Sequence, residues 1–186
     1  MDNKEKAADK YRLVYDLHTH TTYSHGKGSV EDNVREAFNK KLEFIAISDH
    51  GPGHLFYGIN RNELVNMRND LERMNVKYPK LSVKMSVEAN IIKGGNVLDI
   101  NPDEFDEFDF VIAGYHYGLF GCYCIRNWLW SKGFRKGEER LRKINTEMVI
   151  KALRENDIYL LTHPGDKGHF DIKAKAEVCG GTDNFM

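Results

Sequence analysis

Short apolar runs alternate along the chain with longer segments of helical periodicity. Five such runs, bounded by glycine, proline and polar residues, predict β-strands, and the apolar stripes between them predict helices that each bury one face. The strands are expected at 12–20, 43–48, 81–91, 108–114 and 158–162, and the helices at 30–41, at 60–78 and from 138 onward. This alternation predicts an α/β fold with a parallel sheet.

Residues suited to helix capping precede two of the predicted helices. Ser29 with Asp32 three residues later resembles a capping box, and Asn60 stands in the same relation to Glu63. The spacing of apolar residues in the third helix predicts one buried face. That face consists of Leu141, Ile144, Met148 and Ala152.

The polar residues at the ends of the predicted strands carry the candidate chemistry. Alternation places the first two histidines on one face of their strand, and the ligands of parallel sheets bind at the carboxyl ends of the strands. Imidazole and carboxylate are common ligands of first-row metals. An isolated His-x-His pair is equally well explained as exposed polar residues. Histidine or glutamate at the ends of all five predicted strands instead predicts a multi-metal site on a barrel rim. The residues are His18 and His20, Asp49 and His50, Glu88, His116, and His163.

Composition and charge narrow the class of protein. The 186 residues, with 27 basic and 28 acidic side chains and 41% hydrophobic content, predict one globular domain. The charge balance offers no basic surface for nucleic acid, and no apolar run suits a signal sequence or membrane span, so a cytoplasmic protein is expected. Cys122, Cys124 and Cys179 lack the number and spacing of a disulfide framework or zinc site and are expected to be reduced packing residues.

The motifs resemble those of the PHP (polymerase and histidinol phosphatase) superfamily over the stretch from Tyr15 to Gly165. The resemblance is closest to small stand-alone members similar to histidinol phosphatase. It rests on an HxH motif with a later histidine, a strand ending in Asp-His, a glutamate ending the third strand, a histidine after Ala-Gly, and a Thr-His-Pro turn. In this chain the residues are His18, His20 and His25, then Asp49 and His50, then Glu88, His116 and His163.

The resemblance implies a TIM-like (β/α)7 barrel that holds two to three divalent metals, and zinc, manganese and iron all occur in such sites. Matching the motifs residue by residue assigns three groups of ligands. His18, His20 and Glu88 would hold one metal, His25 and His50 a second, and Glu88 (bridging), His116 and His163 a third.

The chain departs from the family pattern after the fifth strand. The family closes its site with a late Asp-x-His, and no such motif follows His163. Because a complete eight-stranded barrel takes about 250 residues, we expect a partial barrel of five βα units. A charged tail over 1–11 would precede a PHP domain over 12–186 that is incomplete toward its C-terminus. Either the sequence is a fragment, or the protein is short and its open sheet edges invite a homo-oligomer.

The resemblance implies hydrolysis of a small phosphomonoester by hydroxide that the metals activate, with no serine or cysteine nucleophile. Asp49 would orient His50 or carry a proton in catalysis, or would cap the loop at the strand end. The substrate phosphate needs cations, and the candidates follow strand ends. They are Lys93, Arg126 and Lys167, and His54 and His169 occupy loops on the same rim.

Two alternatives stay open. A PHP module that serves a DNA polymerase, as a proofreading nuclease or as structural support, would share these motifs, although the chain lacks a basic, aromatic face for single-stranded nucleic acid. Loss of ligands at the incomplete end would instead leave a domain that binds metal without turnover. A metal titration and a comparison of p-nitrophenyl phosphate with single-stranded DNA distinguish these possibilities.

Overall fold

Within the described residues, five parallel strands form one sheet whose spatial order repeats their order in the chain. The computed structural model describes residues 12–54, 56–93, 97–116, 129, 132–134, 136–164 and 171. The predicted α/β fold with a parallel sheet is confirmed. The strands are β1 (Tyr15–Thr19), β2 (Phe44–His50), β3 (Ser82–Asn90), β4 (Phe110–Gly114) and β5 (Leu160–Leu161).

Helical segments connect the strands. Because the strands pair in chain order without reversal, right-handed crossovers place the connecting helices on one face of the sheet, and the sheet curls around its other face. The result is the half-barrel expected of a partial TIM-like (β/α)7 barrel, rather than a sheet with helices on both faces. The helices are α1 (Val30–Asn39), α2 (Leu64–Lys77) and α3 (Glu138–Glu155), with 3₁₀ turns at Arg61–Glu63 and Pro102–Glu107.

Alternation along β3 separates the helix-facing core from the inside of the half-barrel. Val83 and Met85 pack in an apolar cluster with residues of α1 and α2, and Val87 packs in a second cluster with residues of α3. Ser86 and Glu88 are buried on the opposite face. Glu88 therefore lies on the less apolar face of its strand.

Capping residues begin the first helix as predicted. Ser29 Oγ accepts a hydrogen bond from the Asp32 N–H (3.2 Å), and Asp32 Oδ2 accepts one from the Ser29 N–H (3.0 Å). At the second helix, Asn60 Oδ1 accepts a hydrogen bond from the Asn62 N–H at 3.0 Å. That bond caps the 3₁₀ turn, and α2 itself begins later, at Leu64.

The buried face of α3 differs from the predicted stripe. Leu141 is buried as predicted, whereas Ile144 and Met148 are partly exposed and Asn145 is buried in their place. Asn145 Oδ1 accepts a hydrogen bond from the Tyr115 hydroxyl at 2.9 Å, so a polar pair occupies this position in the core. Hydrophobic periodicity cannot identify a buried asparagine whose partner lies on a distant strand.

Some predicted features lie outside the described residues, namely the charged tail 1–11 and the cysteines Cys122, Cys124 and Cys179. In the described ranges no helix combines the length and the apolar character needed to cross a membrane. The cytoplasmic location and the domain boundaries stay predictions. β1 and β5 are the edges of the described sheet, and the homo-oligomer expected from open edges also stays a prediction.

The packing of α2 against the sheet can be tested with two truncations on the same helix. Leu71 is 2% exposed and belongs to the core, whereas Val76 is 83% exposed. Leu71→Ala should lower the free energy of unfolding by about 2–5 kcal/mol because it leaves a cavity, and Val76→Ala should change it by less than about 0.5 kcal/mol. Urea denaturation followed by circular dichroism measures both, and equal effects would contradict the packing described here.

Candidate metal centre

The carboxyl ends of the strands bring seven side chains with metal-binding atoms to one edge of the half-barrel. Parallel register makes this meeting unavoidable, because β2 and β3 pair with His50 opposite Glu88, and β3 and β4 pair with Asn90 opposite Gly114. The seven residues are His18, His20, His25, His50, Glu88, His116 and His163, and all of them were predicted from the sequence.

Glu88 lies at the centre of the cluster and is fully buried, with 0% of its surface exposed. Its Oε2 atom faces histidines from the first two strands and lies 3.0 Å from His50 Nδ1. The same oxygen lies 3.3 Å from His18 Nε2 and 3.5 Å from His20 Nε2. One oxygen of this carboxylate therefore faces the histidines that β1 and β2 bring to the centre.

The other oxygen of Glu88 faces the last two strands. Oε1 lies 2.9 Å from His163 Nε2 and 3.5 Å from His116 Nε2, and it accepts a hydrogen bond from Thr162 Oγ1 at 2.6 Å. A Cβ atom on Gly114 would lie 2.6 Å from this oxygen, which explains the glycine of the Ala-Gly pair before His116. A carboxylate with imidazole nitrogens close to both of its oxygens has the geometry to bridge two metal ions.

Three groups of side chains have ligand atoms within 4.8 Å of one another and could each hold a metal ion. They share members with the groups that the family resemblance implies, but His20 falls with the second group and His163 shares a group with His18. The assignment of ligands to particular metals therefore stays a prediction. The groups are His20, His25 and His50, then His18, Glu88 and His163, then His50, Glu88 and His116.

The electrostatics of the cluster favour metal binding at neutral pH. Burial and the neighbouring His50 lower the pKa of His20 to about 3 and that of His54 to about 4, and they also lower the pKa of His25. Rings in this state are neutral at pH 7, and those of His20 and His25 offer a nitrogen lone pair to a metal. Burial by itself would raise the pKa of Glu88, but the imidazoles that face its two oxygens hold it well below its usual range.

Buried polar atoms in the cluster fit the presence of a metal. Among the described residues, His20 Nδ1, His50 Nδ1 and Glu88 Oε2 are buried and form no hydrogen bond within the protein. Leaving such atoms unsatisfied costs about 1–3 kcal/mol each. All three atoms belong to residues of the groups described above, and divalent metals bound there would satisfy them.

Asp49 lies behind the cluster and holds the loop that follows β1. Its carboxylate accepts hydrogen bonds from the Thr21 N–H (2.7 Å), the Thr21 hydroxyl (2.6 Å) and the Ser24 hydroxyl. His20 Nδ1 lies 4.0 Å from Asp49 Oδ1. These contacts correspond to the loop-capping alternative, and the catalytic roles of Asp49 and His50 stay predictions.

The other predicted site residues are placed less completely. Lys93 lies just beyond the end of β3 and is exposed, whereas Arg126, Lys167 and His169 lie outside the described residues. Their proposed contact with substrate stays a prediction. His54, which the sequence places in a rim loop, stacks on His50 with ring centroids 4.8 Å apart.

Two residues of the site, Asn90 and Asp99, were not predicted from the sequence. Asn90 follows Glu88 by two residues on the same face of β3 and is hydrogen-bonded to His116, with 2.8 Å between Oδ1 and Nδ1. Asp99 holds Asn90 from the following loop. The two-residue spacing from Glu88 was a signal for Asn90, whereas no local pattern points to Asp99.

The comparison with protein families decides which family this geometry belongs to. The model of the PHP domain matches residues 16–178, which covers every residue of the cluster. The chain belongs to the PHP domain family. The membership predicted from the strand-end motifs is therefore confirmed.

Curated relatives of this PHP domain carry phosphatase names. The probable phosphatase TTE1963 of Caldanaerobacter subterraneus is 30% identical over 167 residues, which is 87% of this chain and 56% of the relative. A probable phosphatase of Tolumonas auensis is 28% identical over 89% of this chain and 59% of its own length. The chain thus spans somewhat more than half of the length of these relatives.

One solved structure similar to this PHP domain is the histidinol phosphate phosphatase HisK of Lactococcus lactis, in complex with zinc, L-histidinol and phosphate. It is 17% identical, with a TM-score of 0.39, and the match covers 78% of this chain and 70% of that one.

Neutralising the central carboxylate should weaken metal binding at the two groups that contain Glu88. Glu88→Gln keeps the shape of the side chain but removes the charge and the second ligand oxygen, so at least one fewer Mn²⁺ per chain is expected. Glu104→Gln is the matched control, because Glu104 pairs with Arg61 (2.5 Å) and makes no contact in the cluster. Metal analysis after gel filtration measures the stoichiometry, and unchanged metal content in Glu88→Gln would contradict the bridging role.

Proposed function

We propose that this PHP domain provides the metal centre of a metal-dependent phosphoesterase that hydrolyses a small phosphomonoester. The observation that carries the proposal is the Glu88 carboxylate, buried among imidazoles from the other four strands. The phosphatase names of the curated relatives support it. Because the chain spans somewhat more than half of those relatives, the proposal concerns the part of the active site that these strands carry.

The residues fit two to three divalent metals of the zinc, manganese or iron type. When bound, such metals lower the pKa of water toward neutrality and neutralise charge on a phosphoryl group. The protein supplies imidazoles and one carboxylate whose lowered pKa keeps it charged at neutral pH. The ligands would be His18, His20, His25, His50, Glu88, His116 and His163.

The hydroxyl groups around the centre support direct hydrolysis rather than a covalent route. Thr21 and Ser24 donate to Asp49, and Thr162 donates to Glu88. Each of these three hydroxyls is thereby held by a carboxylate that fixes a loop or a ligand, and none of the three forms the hydroxyl–imidazole pair of an activated nucleophile. Water would therefore be the nucleophile.

His54 is suited to contact the substrate at the rim. Its Nδ1 atom accepts a hydrogen bond from the Tyr57 N–H at 3.2 Å, so the proton of the neutral ring lies on Nε2. An Nε2–H group is a hydrogen-bond donor for a phosphate oxygen and has no lone pair for a metal. Lys93, Arg126 and Lys167 are the proposed cations for the same phosphate.

The activity can be tested on the purified chain loaded with Mn²⁺ or Zn²⁺. We expect hydrolysis of p-nitrophenyl phosphate that is lost in a chelator and restored by metal. His18→Ala should lower kcat/KM at least about 100-fold, because it removes a metal ligand. Lys84→Ala is the control and should retain the activity, because Lys84 lies near the amino end of β3 and pairs with Asp109 at 3.3 Å.

Two outcomes would contradict the proposal. Cleavage of single-stranded DNA without hydrolysis of p-nitrophenyl phosphate would favour a nuclease or polymerase-associated module. Stoichiometric metal binding without turnover of either substrate would favour a domain that holds metal but is inactive as this chain.

A further inference from the structure

We infer that Asn90, held by Asp99, is a positioning residue that fixes which nitrogen of His116 is available to a metal. The inference deepens the proposed function, because it concerns how the metal centre is prepared. Asn90 lies at the end of β3 and is 0% exposed, and His116 follows β4. Their side chains meet with 2.8 Å between Asn90 Oδ1 and His116 Nδ1.

The orientation of the Asn90 amide follows from its other partners. Its Nδ2 group donates to Asp99 Oδ2 at 2.5 Å and to the Gly51 carbonyl oxygen at 3.2 Å. The Gly51 carbonyl oxygen can only accept hydrogen bonds, and Asp99 Oδ2 also accepts one from the Gly53 N–H, so the NH₂ group must face them. The oxygen of the amide therefore faces His116, and a flipped amide would place its oxygen against two acceptors.

This orientation determines the tautomer of His116. An amide oxygen carries no proton, so His116 Nδ1 must donate the hydrogen bond. In the neutral ring the lone pair then lies on Nε2, which is 3.5 Å from Glu88 Oε1 and points toward the centre. A partner on the far nitrogen is the common way in which proteins orient a metal-binding histidine.

Asp99 anchors the amide and connects it to a second ligand loop. Asp99 Oδ1 accepts a hydrogen bond from the Asn90 N–H (2.7 Å), and Oδ2 accepts one from the Gly53 N–H (2.8 Å). A Cβ atom on Gly51 would lie 2.5 Å from this carboxylate, so the glycine allows the close approach. The loop that follows His50 is thereby tied to the same anchor as the orienting amide.

An asparagine that bonds to the other end of β3 offers a control. Asn75 in α2 accepts a hydrogen bond from the Val83 N–H at 3.0 Å and donates to the Val83 carbonyl oxygen at 2.9 Å. It thus bridges a helix and β3 near the other end of that strand and contacts no histidine in these bonds. Asn75→Ala removes two hydrogen bonds to β3 from an exposed position and should leave the metal centre unchanged.

The primary test is the tautomer of His116 in the metal-free protein. Long-range ¹H–¹⁵N spectra of histidine-labelled protein, with the His116 signals assigned from a His116→Gln variant, should show an Nδ1–H ring. Asn90→Ala and Asp99→Asn should both lose this tautomer preference, and Asn75→Ala should keep it.

Isothermal titration with Mn²⁺ provides the second measurement. Asn90→Ala should weaken binding about 10–100-fold relative to the unmodified chain, whereas Asn75→Ala should not. An unchanged His116 tautomer in Asn90→Ala, or unchanged Mn²⁺ affinity despite a changed tautomer, would overturn the inference. The tautomer is measured without metal or substrate, so an inactive chain that shows the expected tautomers would contradict the proposed function alone.

Discussion

A buried carboxylate that must remain charged governs the arrangement of this half-barrel. Removing Glu88 from water is costly, and the structure offsets the cost by surrounding it with imidazoles and one hydroxyl. These partners come from strands that are far apart in sequence, so the carboxylate can be satisfied only when the parallel sheet has formed in register. The same strand pairing therefore forms both the fold and the candidate metal centre.

The pattern of apolar residues explains why the histidines lie in the site. Strand and loop boundaries read from apolar runs placed His50 and His116 at strand ends, and parallel pairing then brings these ends together. The same logic placed Glu88 on the inner face of β3. The partition of ligands between metals and the role of Asp49 depend on contacts between residues that are far apart in the sequence. They could therefore not be derived from spacing.

Asp99 and Asn145 show which side chains could not be predicted from the sequence. Asp99 acts through the path of the loop after β3, which brings its carboxylate to Asn90 and to Gly53 in another loop. Asn145 is a similar case, because a distant tyrosine hydroxyl makes an asparagine acceptable in the core. In both cases a polar side chain is explained by a partner that the local sequence does not identify.

Family membership and the site geometry together define what the chain contributes. The PHP domain match covers every residue of the cluster, and the described residues supply six imidazoles around one carboxylate. The relatives are considerably longer, so the activity of a complete protein is a separate matter from the capacity of these strands to hold metals. Neutral imidazoles and unsatisfied buried atoms make that capacity the central property of the chain.

Anomalous X-ray scattering from crystals grown with Mn²⁺ tests this property most directly. The account predicts a peak within about 2.0–2.2 Å of a Glu88 oxygen, the distance of a direct metal–oxygen bond. It also predicts a neighbouring peak among His20, His25 and His50. A folded chain with no anomalous peak beside Glu88 would contradict the account.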